Sequence, residues 1–145
     1  MKHTIFTLLF VLCALQIFAQ KEFLGEWKTV SDKTGEQEAV VRIFKATNGM
    51  YYGKIERFIN PEYAGKGFRC DKCEGADHNQ LIEGLIIVRE LKYENGKMIG
   101  GHVLDPESGK IYYGAITFDA ATKNIVLRGS LDKRGIFGRS QTWVR

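Results

Sequence analysis

The sequence predicts an all-β fold: an up-and-down antiparallel β-barrel of about eight strands. Three observations carry that expectation. Short runs rich in Val, Ile, Tyr and Phe alternate with turn signals roughly every ten residues, the pattern of successive hairpins. Asn-Gly, the strongest short-range hairpin signal, falls between such runs at Asn48-Gly49 and again at Asn95-Gly96. After the apolar N-terminal run, no stretch sustains a helical period.

Taken in order, the first half of the chain holds expected strands at 25–31 (GEWKTVS), 37–46 (QEAVVRIFKA), 50–58 (MYYGKIERF) and 84–93 (GLIIVRELKY). Four more follow at 97–104 (KMIGGHVL), 110–118 (KIYYGAITF), 124–131 (NIVLRGSL) and 138–144 (GRSQTWV). The links between them carry turn chemistry: DKTGE at 32–36, TNG at 47–49, ENGK at 94–97, DPESG at 105–109 and DKRG at 132–135. Pro61 and Pro106 both fall between strands, where a missing N–H does no harm. Gly53, Gly114 and Gly129 inside strands are expected at bends or bulges of a curved wall. Nearly every link is a hairpin, which suits neighbour-to-neighbour winding, and closure into a barrel removes the strand edges. One link, 59–83, is long, and a loop of that length in a compact domain is usually functional or specially held.

The N-terminus is set apart. Lys2, an apolar run from Ile5 to Phe18 and small Ala19 have the layout of a secretory leader over residues 1–19, too short and weakly flanked for a stable membrane span. Cys13 lies inside that run behind Leu12, not behind the small residue a lipid-attachment site would want. The expected product is a single barrel domain over 20–145, exported to the periplasm or secreted, with no integral membrane segment left. Removing Lys2 changes 21 Lys+Arg against 17 Asp+Glu to 20 against 17, a net +3. Charge that mild and spread out does not call for nucleic acid, which wants a clustered basic stripe.

The two ends of the barrel region carry a resemblance. Gly25-Glu26-Trp27 and the closing Gln141-Thr142-Trp143-Val144-Arg145 resemble the Gly-x-Trp start and late Arg of the lipocalin and avidin superfamily. That resemblance implies that Trp27 closes one end of the barrel with Arg145 or Arg139 packed over its ring, a cation–π contact worth about 1 kcal/mol. Across nearly the whole mature chain, the order GEWKT, YYGKIERF, CDKCEG, GLIIVREL, GGHVLDPESGKIYYGAI, LRGSL, GRSQTWVR resembles the bacterial domain-of-unknown-function family 2147. The resemblance implies a small exported barrel, lipocalin-like by fold, and names no activity. The helix that many lipocalins carry before their last strand has no counterpart here, so lipocalin ligand rules are not carried over.

A barrel of this size encloses either a filled core or room for one small ligand. Candidate ligand-binding residues are Tyr51, Arg89, His102 and Tyr113. Of each adjacent pair, Tyr51-Tyr52 and Tyr112-Tyr113, one phenol should point inward, offering an apolar body with a polar handle. Tyrosine also simply favours strands. Arg89 shares strand parity with Leu85, Ile87, Leu91 and Tyr93, the more uniformly apolar face; if that face is inside, the guanidinium needs an acid such as Glu56 or a carboxylate ligand. Arg42 and Arg128 are read as solvent-facing. His102, beside Gly100-Gly101, is either pocket-lining or a hydrogen-bonded structural residue.

Cys70 and Cys73 stand in FRCDKCEGADHNQ. In an oxidising compartment the first reading is a structural disulfide worth roughly 2 kcal/mol. Zinc would find Cys70, Cys73 and His78 with Asp71, Asp77 or water, a half-site; a redox couple would want a helix after Cys70, and Glu74-Gly75 follow instead. No Gly-x-Ser-x-Gly elbow, phosphate loop or dinucleotide fingerprint appears, and no cofactor is implied. The expected function is non-catalytic binding of a small amphipathic or anionic molecule. The alternatives are a metal- or redox-linked envelope protein acting through the Cys70-Cys73-His78 loop, or a filled barrel acting as a protein-interaction module.

Overall fold

Eight antiparallel strands wind in sequence order into one closed barrel: β1 (Gly25–Val30), β2 (Gln37–Lys45), β3 (Tyr51–Phe58), β4 (Ile86–Glu94), β5 (Lys97–Asp105), β6 (Lys110–Asp119), β7 (Asn124–Ser130) and β8 (Gly138–Val144). The computed structural model describes residues 19–145. The expected leader, apart from Ala19, and Cys13 with it, lie outside the described residues. Closure comes from β1 pairing with β8 through Lys28 opposite Val144 and Thr29 opposite Trp143. Asn95 and Gly96, both with positive φ, make the two-residue turn between β4 and β5 that the sequence signals. Expected and observed strand limits differ mainly at β4. Gly84 and Leu85 already bond to Ile55 by backbone N–H and carbonyl, but a register shift delays regular pairing to Ile86.

Alternation along the strands fills the interior. Trp27 and Trp143, Val41 and Ile43, Leu91 and Met98 are all essentially inaccessible and belong to a single apolar cluster. One end of the barrel is plugged. The indole N–H of Trp27 donates to the Phe23 carbonyl at 2.8 Å, and the Phe23 ring packs against Tyr93 and Phe118 with centroids 6.0 Å away. The Arg145 guanidinium lies 4.3 Å from the centre of the Trp27 ring and donates to the carbonyls of Glu22 and Leu24. Arg139 is at the opposite end, paired with Asp32 at 3.3 Å. Arg145 lies six positions beyond Arg139, about 20 Å of extended chain, so only Arg145 reaches the tryptophan.

The wall is bent where β4 and β5 meet. Glu90 adopts a φ of 59° and Gly100 one of 81°, and the pairing slips on the outer side of each strand, between Tyr51 and Gly53 on β3 and between Met98 and Gly101 on β5. At this bend Gly101 lies so close to β4 that a Cβ on it would run into the carbonyl of Arg89. At Gly129 the same atom would meet only the Tyr112 side chain, at an ordinary 3.5 Å. Gly101→Ala should therefore cost about 3 kcal/mol in urea unfolding, against about 1 kcal/mol or less for Gly129→Ala; equal costs would show that the bend is not held by backbone proximity.

Candidate binding cleft

The long connection of residues 59–85 starts at the unplugged end of the barrel and folds back over it. Its two cysteines form the disulfide Cys70–Cys73, with both residues buried, at 0% and 3% exposure, in the cluster that holds Ile55, Leu85 and Leu104. Backbone bonds knit the segment to itself, Cys70 N–H to the Gln80 carbonyl and Asn79 N–H to the Cys70 carbonyl, around one turn of 3-10 helix at Gly75–Asp77. Other contacts reach the β5–β6 turn. Lys72 Nζ donates to the Glu107 carbonyl at 3.1 Å, Cys70 Sγ lies 3.3 Å from the Pro106 carbonyl oxygen, and a Cβ on Gly109 would strike the Lys72 carbonyl. Glu83 accepts the Phe58 N–H at 2.9 Å, tying the far end of the loop to β3. The cystine is thus the stopper of the second mouth.

Arg89 holds this loop against the outside of the wall. Its guanidinium donates to both carboxylate oxygens of Asp77, at 2.8 and 2.9 Å, and its Nε and Nη2 donate to the Ile86 carbonyl. The expectation of an inward Arg89 answered by Glu56 is corrected here. Val88 and Leu91 both point inward, three positions apart, because Glu90 in the left-handed region inserts an extra residue, leaving Arg89 and Glu90 on the outer side. Glu56 meanwhile pairs with Arg42 and Lys54 on the outer wall, at 3.1 and 3.2 Å.

The other candidate residues separate in the same way. Tyr51 points inward, buried at the plugged end, where its hydroxyl donates to Gln20 Oε1 at 2.6 Å. His102 and Tyr113, expected to line a cavity, are on the outer face because their neighbours Val103 and Gly114 meet inside. Arg89, His102 and Tyr113 are successive cross-strand partners, and the His102 and Tyr113 rings lie 5.5 Å apart. Three of the four residues thus form one outer row, with Tyr51 on the other side of the wall. Arg42 reaches Glu26 and Glu56, and Arg128 bonds to the carbonyls of Gly135 and Ile136. His78 Nδ1 is 2.9 Å from the Cys73 carbonyl oxygen, and among the described residues no three His, Cys, Asp or Glu side chains converge as an ion site would need.

Beside the Arg89–Asp77 pair, between the outer wall and the returning loop, lies an open cleft of about 460 Å³. Its floor is Tyr52, Ile86 and Arg89; Arg69, Gln80 and Leu81 form the opposite side. Arg69 spends one N–H on the Asn79 carbonyl at 2.7 Å. Its remaining donors make it the cation of the cleft with capacity for an anion, because Arg89 is engaged by Asp77 and Ile86. Sequence reasoning named Arg89, weighed Tyr52 only as the alternative to Tyr51, and missed Arg69 and Leu81; the length of the 59–83 link was the signal that this segment would build something.

The hydrogen bonds from Arg89 hold the Asp77 carboxyl below its usual value of 3.8; the guanidinium charge adds to this and partial burial opposes it. A carboxyl depressed in the folded state stabilises fully above the unfolded value and loses that contribution as pH falls through the folded one. Asp77→Asn should therefore cost about 1 kcal/mol near neutrality, and the gap to the parent should close as the pH falls below the ordinary carboxyl value of 3.8 in chemical unfolding. A gap independent of pH would mean the pair contributes through packing alone.

Comparison with known proteins agrees with this architecture. Residues 25–145 match the family model described as an uncharacterized protein conserved in bacteria, DUF2147. No curated protein matches the chain. A solved structure entitled "Protein HP1028 from the human pathogen Helicobacter pylori belongs to the lipocalin family" is similar with a TM-score of 0.71, 21% identity, and coverage of 85% of this chain and 82% of the other. At that identity the likeness is one of fold.

Proposed function

The chain belongs to the bacterial family DUF2147 and folds as a lipocalin-like barrel; from that premise we propose that it is an exported, non-catalytic binding protein for a small amphipathic anion. The site is the outer cleft. One observation carries the reading: the barrel interior is packed with side chains and stoppered at both ends, whereas the open outer cleft combines the Arg69 guanidinium with the apolar surfaces of Tyr52, Leu81 and Ile86. A carboxylate or sulfate head would pair with Arg69, and a short apolar tail would lie along Leu81 and Ile86. Export to the periplasm or beyond is part of the proposal. It rests on the leader-like residues 1–19 and on a cystine that would persist in an oxidising compartment.

Decanoate is a suitable probe. In amide-resolved NMR titration of the mature protein (residues 20–145), the shifts should gather on Arg69, Gln80, Leu81, Gly84 and Ile86. Arg69→Ala should weaken binding about tenfold, the worth of one charge-assisted hydrogen bond. Shifts gathering on interior amides such as Leu91, Met98 and Ile116, or no shifts at all, would contradict the proposal.

A further inference from the structure

The connection between β7 and β8, residues 131–137, presents apolar side chains to solvent at the mouth that the cystine stoppers. Leu131 is 73% exposed and Phe137 70%, with Ile136 on the same tip and Ile111 beside it on β6. Such side chains usually fold back onto a barrel; here the backbone holds them out. The Asp132 carboxylate accepts the N–H groups of Phe137 and Ile136, and the Asp132 carbonyl accepts the Gly135 N–H and the Ser130 hydroxyl. From the base, the Arg128 guanidinium donates to the carbonyls of Gly135 and Ile136, and Leu131 N–H bonds to the Phe137 carbonyl. With these groups satisfied from within, the tip can leave water without stranding them.

Charge says what covers it. Arg128, Lys133, Arg134 and Arg139 stand against Asp132 over residues 128–139, and with Arg139 paired to Asp32 the tip keeps a local excess of +2. A second copy would set that excess against itself, and one hairpin tip is small beside the roughly 800 Å² per partner of a stable protein interface. An anionic bilayer surface suits both features: apolar side chains enter the acyl boundary while lysine and arginine stay among the headgroups. We propose that the 131–137 tip, with Ile111, docks the barrel reversibly onto membranes carrying anionic lipid. The outer cleft plays no part in this contact.

The test is co-sedimentation of mature protein with vesicles of phosphatidylcholine alone or mixed with phosphatidylglycerol. Binding to the mixed vesicles, falling with added salt, is expected. Phe137→Ser with Leu131→Ser should weaken it about tenfold or more, Lys133→Glu with Arg134→Glu should remove the preference for phosphatidylglycerol, and Leu81→Ser in the cleft should leave it unchanged. The proposal is overturned by absence of binding to the mixed vesicles at low salt, or by binding indifferent to Phe137→Ser in a variant whose near-ultraviolet dichroism is native. It is equally overturned if sedimentation velocity shows Phe137 instead holding two copies together.

Discussion

Everything about how this barrel presents itself depends on the burial of one small cystine. Cys70 and Cys73 lie in the apolar cluster at the mouth farthest from Trp27, a place where a loop would otherwise have to bring backbone polar groups into the core. Two sulfurs and a four-residue ring bring little polarity, and the surrounding carbonyls and N–H groups are spent on Gln80, Asn79 and the β5–β6 turn. The other mouth is closed by larger means, an indole with a guanidinium on its face and three backbone carbonyls in reach. Between the two plugs the space is taken by side chains.

Filling the interior moves recognition to the outside. The segment that stoppers the mouth also returns along the wall, and the fork between Arg89 and Asp77 fixes how far it stands off. The gap left beside the fork is the cleft. One loop thus serves stability through its cystine and shapes a surface with the residues on either side of it, Arg69 before and Gln80 and Leu81 after, consistent with function residing in loops held by a rigid scaffold. The apolar tip of residues 131–137 is at the same mouth but is held by its own hydrogen bonds and not by the cystine.

Much of this was legible in the sequence. Alternation of Val, Ile and Tyr with Asn-Gly and Asp-rich turns located all eight strands, because a period of two and a positive-φ turn residue leave direct marks on composition. The cystine was the first reading of the Cys70–Cys73 spacing behind a leader-like start, and the Trp27–Arg145 contact is one of the two that the lipocalin resemblance implied, the other being with Arg139. Arg89 could not be placed by alternation, since the count breaks on both sides of it, between the buried Ile87 and Val88 and again at Glu90, a glutamate in the left-handed region with nothing in its chemistry to announce it. His102 and Tyr113 stand in the same outer row by plain alternation, since Val103 and Gly114 take the inward positions beside them. Asp77 as the partner of Arg89 was equally hidden, for the pairing crosses a loop whose path is set by tertiary contacts.

Amide-resolved hydrogen exchange on the oxidised protein tests most directly whether the stopper is fixed. If the loop is part of the barrel's core, the N–H groups of Cys70, Asn79 and Gly84, each bonded to a backbone carbonyl, will exchange in the slow class of the strand amides. Exchange of those three at the rate of an unstructured peptide would mean that the mouth opens freely, and the account of a filled, stoppered barrel that binds on its outer wall would fail.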